Sequence, residues 1–594
     1  PTISPEQVFR ASGHLEKFAD AVIECADCKT GTRGDHLVRG EWKRLGEAAT
    51  QAAIKARAQH LKAAANDAIA NAEAGAILDD LLAATERMRQ AADQDPSPEN
   101  LQSLLTGTSP LFMGGTLLDQ TEGDLAIRLT PTTATVTLEG KTVFAGEVQC
   151  PGCGKTLDVS KAKIAAFNLM FKTQVGPGAG RAGYLRPETA QGMFMDFPWL
   201  YRYFREKLPF GAVQIGKAYR NEISPRQSLL RLREFHQMEA EVFFDPQDKT
   251  WSRFAELEDR ELNLLSRDES SVTRMKMGEA VDKGIIANGA LGYFIALTDL
   301  FLTAAGIPQD ILRFRQHGVT EKAHYSTDTW DAEFLSPRFE WVEIVGIADR
   351  TDYDLSAHAR VSGKPLQAIR RYAEPREATV RRYVPNPAKM GPTFKGNAKA
   401  IQAALAEMEA PAKAPAELTV SIDGATITVP PDCYRIEERT ERREGEWYTP
   451  HVVEPSFGID RVFYAILESA WRDPNADKEW TSLRLSPRVA PIACGVFPLM
   501  NKDGLDSIAE TLARDLRTAG LLSQYDDGGA IGRRYARSDE IGTPYCVTVD
   551  YDTKEDATVT LRERDSGQQK RIPLADVVRL VNDLISGRAD FETI

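Results

Sequence analysis

Apolar and polar residues alternate with a period of two on both sides of a basic loop between Gln214 and Phe244, a pattern that predicts two strands. In the first, Gln214, Gly216, Ala218, Arg220 and Glu222 share a face, because successive side chains of a strand point to opposite sides. That face is small and then charged, so it leaves room for a ligand beside a cation and an acid. In the second, Phe235, Gln237, Glu239 and Glu241 share one face, and His236, Met238, Ala240, Val242 and Phe244 the other. The second of these faces suits a core. The first carries two carboxylates, an amide and a ring. A half-buried strand without any function shows the same alternation, so the pattern alone does not choose.

Elsewhere the periodicity changes. The opening stretch, 1–25, reads as a helix end, a turn and a strand. Residues 43–105 are rich in Ala, Leu, Glu and Arg, with periodic apolar positions such as Ile77, Leu81 and Leu82, and predict helices. Residues 106–166 carry short strand-like runs, and an α/β pattern extends from Phe167 to about Tyr353 and resumes near Pro450. Residues 409–417 read as a linker. After Pro487, strand-like runs alternate with amphipathic helices over the last stretch of chain, which predicts a separate α/β domain.

At 594 residues the chain calls for two to four domains. Apolar content of 42% and charged content of 27% are those of an ordinary globular protein. No run approaches the ~20 apolar residues of a membrane helix. No secretory leader is visible, so the cytoplasm is the default compartment. The chain begins with Pro1 rather than Met, from which a preceding segment is expected. A net charge of −13 argues against nucleic-acid binding on average, but phosphate contacts come from local patches. Residues 360–400 hold ten Lys or Arg against two Glu. They form either a solvated loop or a patch for RNA.

The residue types between Lys217 and Asp245 suit adenylate chemistry. Arg220 can fork onto a phosphate, Phe235 can stack on a purine with an Arg on its other side, and Arg226, Arg231 and Arg233 can gather polyphosphate. The words GKAYRNEISPR and REFHQMEAE resemble motif 2 of the class II aminoacyl-tRNA synthetases, and within them the homodimeric glycyl-tRNA synthetases. HVVEPSFGIDRVFYAILESAW resembles motif 3, with a strand ending at Gly458 and a helix beginning near Asp460. GAIGRRYARSDEIGTPYCVTVD resembles the anticodon-binding domain shared by the glycyl, threonyl, prolyl and histidyl enzymes. Its Gly-rich start lacks the Gly-Lys-Ser/Thr ending of a phosphate loop. The segment up to about Arg39 resembles the second half of motif 1, much of that family's dimer interface.

The resemblance implies an α+β fold: an antiparallel sheet flanked by helices, helical and β insertions, and a C-terminal α/β anticodon-binding domain. The implied domains are the end of the motif 1 region at 1–36, an inserted helical and β module at 37–149, and core with motif 2 at 150–353. A basic insertion that would contact the tRNA acceptor follows at 354–449, then core with motif 3 at 450–486 and the anticodon-binding domain at 487–594. The implied reaction joins glycine to ATP as glycyl-adenylate, then transfers glycine to the 3′ end of tRNA(Gly). It needs positioning and charge stabilisation rather than a protein nucleophile.

By this resemblance Arg220 bridges the glycine carboxylate and the α-phosphate, Glu222 holds the adenine end, Phe235 stacks on the base and Arg231 reaches the distal phosphates. Arg461, in a first helical turn where the dipole favours anions, takes the γ-phosphate. Mg²⁺ bridges the phosphates, with Glu343 as a ligand. Glu188, Glu239, Arg350, Glu454 and Ser456 are the amino-acid contacts. The bland readings are an exposed helix residue for Arg461 and helix-start charge complementarity for Glu188. Partners implied are ATP, glycine, tRNA(Gly) and a second copy of the chain, with no membrane.

Among seven cysteines, Cys433, Cys494 and Cys546 are isolated and read as thiols, two of them in apolar strands. Cys25-x-x-Cys28 and Cys150-Pro-Gly-Cys153 are two knuckles that can close a structural tetrahedral zinc site. Free thiols or disulfides are the alternative. The rival functions are a class II synthetase for Thr, Pro, Ser or His, and a synthetase-like accessory subunit that binds nucleic acid without catalysis. The RPETAQG and EPSFG words disfavour the first. The presence of Arg220 and Arg461 disfavours the second. In the C-terminal domain Arg533, Arg534 and Arg537 either face RNA or pair with Asp526, Asp527 and Asp539.

Overall fold

Eight strands build the sheet that carries the site. They are β1 (Phe210–Tyr219), β2 (Glu234–Phe244), β3 (Glu261–Leu265), β4 (Thr273–Lys276), β5 (Leu312–Gln316), β6 (Asp328–Ser336), β7 (Glu340–Thr351) and β8 (His451–Gly458). Their order is β1-β2-β8-β7-β6-β5-β3-β4. All neighbours are antiparallel except β3 and β5. The computed structural model describes all residues but 64–68, 95–96, 113–115, 123–124, 139, 159–160, 179, 224, 226, 319–325, 412–417, 423–424 and 476–477. Arg226 and most of the 409–417 segment therefore lie outside the described residues, as does the side chain of Ile77.

The alternation in β2 decides which way the sheet faces. Val242 and Phe244 enter a core with Phe314, Trp330 and Ile347, closed by the helices Gly289–Ala304 and Ile459–Ala470. On the opposite face Gln237, Glu239 and Glu241 are buried, and the short helices Ala190–Met195 and Phe197–Tyr203 cover its far end through Phe194, Phe197 and Phe243. The first strand is shorter than its alternation suggests. It ends at Tyr219, and Glu222 and Arg220 belong to the loop that follows. The last rung is Arg220 N–H to the Arg233 carbonyl at 3.0 Å; a tight turn then brings Glu222 N–H to the Arg220 carbonyl at 2.7 Å.

Residues 34–149 share one hydrophobic core with Ala21, Ile23 and Cys25 of the preceding hairpin. The helices Gly34–Ala63, Ile69–Gln94 and Pro98–Thr106 pack on a four-stranded sheet through Trp42, Leu45, Leu81, Met88 and Ile127, while Leu82 stays exposed. A long ribbon pairs Ala368–Pro385 with Tyr434–Tyr448. It sets the basic strand against one in which five Glu are interspersed with four Arg. Arg382 meets Glu441 at 2.6 Å and Arg381 meets Glu438 at 4.0 Å, and Arg370 pairs with Asp245 and Glu446. Four of the ten cations that the sequence concentrates at 360–400, Arg370, Arg371, Arg381 and Arg382, are thus matched across the ribbon.

The C-terminal sheet has five strands, ordered Ser523–Tyr525, Cys494–Pro498, Tyr545–Val549, Thr558–Glu563 and Gln569–Pro573. The Gly-rich segment leads into the helix Ile531–Glu540. There Arg534 is buried and donates to the carbonyls of Pro498, Asp527 and Gly529 at 2.5, 2.8 and 2.8 Å. Arg537 pairs with Asp526 at 2.6 Å, and Asp539 is held by Arg562 at 2.9 Å. Of the three arginines considered for RNA, Arg533 alone is exposed without an ion-pair partner among the described residues. No helix among the described residues is long and apolar enough to cross a membrane.

Candidate active site

Eleven residues singled out in the sequence line one cleft of roughly 1090 Å³, part of it open to solvent: Glu188, Arg220, Glu222, Arg231, Phe235, Glu239, Glu343, Arg350, Glu454, Ser456 and Arg461. The four paired cysteines lie elsewhere. The cleft has two chemically distinct halves.

One half is cationic. The Arg220 guanidinium lies 5.3 Å from the ring of Phe235 and 5.3 Å from that of Phe18, and its Nε donates to the Pro187 carbonyl at 3.2 Å. Its terminal nitrogens have no hydrogen-bond partner among the described residues. Arg461 sits in the first turn of the helix Ile459–Ala470; its Nε donates to the Leu230 carbonyl at 3.1 Å and its Nη1 to the Glu343 carbonyl at 3.0 Å. Backbone carbonyls therefore aim both side chains without consuming their charge. Arg231 approaches Glu222 at 4.0 Å. Burial lowers its pKa, and the positive charges of Arg33 and Arg461 add to that against the pull of Glu222. Glu343 is half-exposed, with an oxygen 3.3 Å from Arg461. Burial alone would raise its carboxyl, but Arg461, Arg220 and His317 outweigh it and hold it below the usual range.

The other half is anionic. Arg350 is buried and donates from Nε to Asp354 at 2.8 Å and from Nη1 to Glu454 at 2.8 Å, with Glu188 at 3.9 Å. Glu239 accepts from the backbone and hydroxyl of Thr189 at 2.7 and 2.6 Å, from Ser456 at 2.9 Å and from Gln237 at 2.5 Å. Gln191 spans Glu188 at 2.7 Å and Asp354 at 3.0 Å, and accepts from His358 at 2.6 Å. Five buried carboxyls (Glu188, Glu239, Glu241, Glu454 and Asp354) thus surround a single guanidinium. Burial, then the charges of Glu454 and Glu188, lift Glu239 to about 7. Burial and Glu454 push Glu241 well up, and burial raises Glu454 despite Arg350. Glu188 goes the other way: burial opposes ionisation, but His14, Arg350 and Gln191 hold it ionised, well below the usual range.

Several of these contacts have no assigned role in the sequence. Thr189 and Gln191 sit inside the RPETAQG word, and Gln237 shares the face of Phe235 and Glu239, so adjacency pointed to them. Asp354 stands four residues after Arg350, where the strand β7 gives way to the helix Tyr353–Ser362. His14 carried no signal, because only folding brings it to Glu188.

The model of the tRNA synthetase class II core domain (G, H, P, S and T) matches residues 177–470, and that of the anticodon binding domain matches residues 493–584. A glycine--tRNA ligase of Methanothrix thermoacetophila is 42% identical over all of this chain and 88% of its own length. The chain belongs to the glycine--tRNA ligase family. The member from Methanocaldococcus jannaschii is 38% identical over 97% of this chain and 87% of that ligase, and the one from Archaeoglobus fulgidus is 38% identical over 99% and 87%. A solved prolyl-tRNA synthetase of Cryptosporidium parvum, complexed with L-proline and AMP, aligns at 13% identity with a TM-score of 0.39 over 71% of this chain and 62% of its own. The family is one of enzymes, and the fold is that of class II synthetases: a mixed α/β architecture on a large antiparallel sheet with a C-terminal anticodon-binding domain.

The paired cysteines meet at the tips of two turns. Cys25 and Cys28 lie between the strands Ala19–Glu24 and Gly31–Arg33, and the four sulfurs lie within 4.8 Å of one another. Cys28 Sγ is 3.7 Å from Cys150 Sγ, close to the about 3.8 Å edge of a tetrahedron with Zn–S bonds of ≈ 2.3 Å. Gly152 N–H points at Cys150 Sγ at 3.4 Å. This donor set can hold zinc. The same hairpin carries Asp20 and Arg33, 3.2 Å apart, whose charges act on Glu222 and Arg231. The cysteine hairpin thus reaches the edge of the cleft.

Proposed function

We propose that the cleft binds ATP in its cationic half and glycine in its anionic half, forms glycyl-adenylate, and passes glycine to the 3′ end of tRNA(Gly). The observation that carries this reading is the opposite charge left unpaired in two adjoining halves. In the first half Arg220, Arg231 and Arg461 stand with Glu222, Glu343 and Asp460, but Asp460 is taken up by His236 and the terminal nitrogens of Arg220 have no partner among the described residues, while in the second five buried carboxyls lie about Arg350. The first half lacks an anion and the second a cation. A nucleoside triphosphate and the ammonium of an amino acid supply them.

In this reading Arg220 stabilises charge at the α-phosphate while the glycine carboxylate attacks it, and Phe235 and Glu222 hold the base. Arg231 and Arg461 steady the distal phosphates as pyrophosphate leaves. A Mg²⁺ brought with ATP would be held through the ionised Glu343, and when bound it neutralises phosphate charge. Glu188, Glu239 and Glu454 take the ammonium, Ser456 orients Glu239, and Arg350 keeps Glu454 in place. Exchange of labelled pyrophosphate into ATP, run with each of the twenty amino acids, tests the reading. Glycine should support it, and exchange driven by serine or threonine but not glycine would sink it.

We extend the proposal to the rest of the molecule. Cys25, Cys28, Cys150 and Cys153 hold one structural zinc, checked by elemental analysis of reduced protein. The domain after Pro487 reads the anticodon, so removing 488–594 should spare exchange and sharply reduce charging. A second copy packs on the apolar row formed by the edge strand β1, where Val213 and Ile215 are 62% and 65% exposed, continuing through Phe457 to the exposed Phe301. Sedimentation of wild type against Ile215→Glu measures that dimer. Its compartment is the cytoplasm, where ATP, glycine and tRNA meet.

A further inference from the structure

Glu188 does not hold its position alone. Its Oε1 accepts from Gln191 at 2.7 Å and lies 3.9 Å from Arg350. Its Oε2 lies 3.3 Å from Nε2 of His14. His14 comes from the first turns of the chain, and its ring is fixed on every side. Gly13, at φ 82°, turns the backbone after the helix Glu6–Ala11, a conformation that glycine adopts without cost. The ring stands edge-on to Phe9 at 6.1 Å and to Phe18 at 5.4 Å. Asn168 Nδ2 donates to the His14 carbonyl at 3.2 Å.

The tautomer follows from the partners. His14 Nδ1 is 2.7 Å from the hydroxyl of Ser12. A carboxylate oxygen 3.3 Å from Nε2 calls for a proton there: the neutral ring supplies it if the Ser12 hydroxyl donates to Nδ1, and the imidazolium supplies it if that hydroxyl donates to the Val8 carbonyl at 3.3 Å and accepts from Nδ1–H. The local charge count explains why a donor is needed there. Arg350 serves Asp354 and Glu454 at 2.8 Å each and stands farther from Glu188, at 3.9 Å, so its charge is shared among three carboxyls. Without His14, the neighbouring carboxyls would favour a protonated Glu188, and a neutral acid attracts an ammonium weakly.

We propose that His14 is a positioning residue for amino-acid binding: its Nε2–H fixes the carboxylate of Glu188 toward the ammonium of glycine. The inference rests on the reading of Glu188 as a glycine contact. It also gives the N-terminal segment a part in substrate recognition. Phe18 touches both halves of the cleft, with His14 on one side and Arg220 5.3 Å away, so the segment spans the two substrates.

Four variants test it by glycine-dependent exchange, each checked for folding by its melting curve. His14→Phe keeps a ring and removes the donor. It should raise the KM for glycine about 10- to 100-fold, the range expected for one charge-assisted hydrogen bond, with the KM for ATP and kcat within about threefold. His14→Gln places an amide N–H near the position of Nε2 and should recover most of the affinity; His14→Asn, too short to reach, should not. Glu188→Gln should raise the glycine KM, and adding His14→Phe to it should cost little more, because the two act through one contact. If Glu188→Gln leaves the glycine KM unchanged, the reading of Glu188 fails and the role of His14 falls with it. If Glu188→Gln raises it and His14→Phe does not, the Glu188 reading stands and this inference is overturned. Equal losses for ATP and glycine in His14→Phe, or equal behaviour of the Gln and Asn variants, would also overturn it. Should the Phe variant fail to fold, the Gln–Asn pair carries the same comparison.

Discussion

Arginine does opposite work in the two domains. In the cleft, Arg220 and Arg461 each give Nε to a backbone carbonyl, at 3.2 and 3.1 Å, and keep charge facing the cavity. In the C-terminal domain, Arg534 is buried and its two terminal nitrogens are taken by three carbonyls within 2.8 Å. Arg562 is likewise consumed by Asp539. The residue is the same in both settings. The difference lies in where the fold leaves its donors. A guanidinium with five donors that keeps terminal N–H groups toward the cavity remains a ligand group, whether it meets one carbonyl, as Arg220 does, or two and a carboxylate, as Arg461 does; one buried against three carbonyls becomes part of the core.

This contrast is breakable. Arg220→Ala should lower kcat for glycine-dependent exchange by about 10²–10³-fold, as for loss of a donor aimed at developing charge, with a nearly unchanged melting temperature. Loss of stability without loss of rate would make Arg220 a structural residue like Arg534. The reciprocal change, Arg534→Ala, should leave exchange intact and destabilise the C-terminal domain by about 2–4 kcal/mol, because three buried carbonyls lose their donor. Calorimetry that resolves the two domains reads this directly. Unaltered C-terminal melting together with weakened tRNA binding would instead make Arg534 an RNA contact.

The anionic half sharpens the comparison through pH. Glu239 titrates at about 7 in the folded protein, above the ≈ 4.3 of an unfolded Glu. Its protonation therefore stabilises the fold fully below the unfolded value, and that contribution is lost as pH rises through about 7. Ammonium binding requires the other, ionised state. Glycine kcat/KM should accordingly rise about fivefold between pH 6 and 7, about tenfold by pH 8, and level off above, and Glu239→Gln should flatten the profile. A profile indifferent to that substitution would remove Glu239 from ammonium binding. The smallest effect is expected from metal removal. Chelation should raise the KM for ATP only severalfold, through Asp20 and Arg33 beside Arg231, and leave that for glycine alone. Restoring zinc should reverse it, and a loss confined to glycine would contradict the coupling.

Much of the sheet was legible beforehand because a strand writes its faces into the sequence with period two. Gln237, Glu239 and Glu241 fall together on the site side of β2 for that reason, and Val242 and Phe244 on the core side. The strand's end was not legible: the alternation runs on past Tyr219, while the chain leaves the ladder there. The motif words brought eleven residues to one cleft, since each word is a short local segment whose geometry its own residues dictate.

What the sequence determined by itself was the period of the strands, the class of the chain, and the residue types that suit phosphate and ammonium. Tertiary structure alone decided the partners. It set cations of 360–400 against glutamates of the opposing strand, buried Arg534 under three carbonyls, and carried His14 to Glu188. The physical reason is that periodicity and turn chemistry act between near neighbours, whereas the charge a side chain can offer depends on acceptors and burial contributed by distant segments, which exist only once the chain has folded.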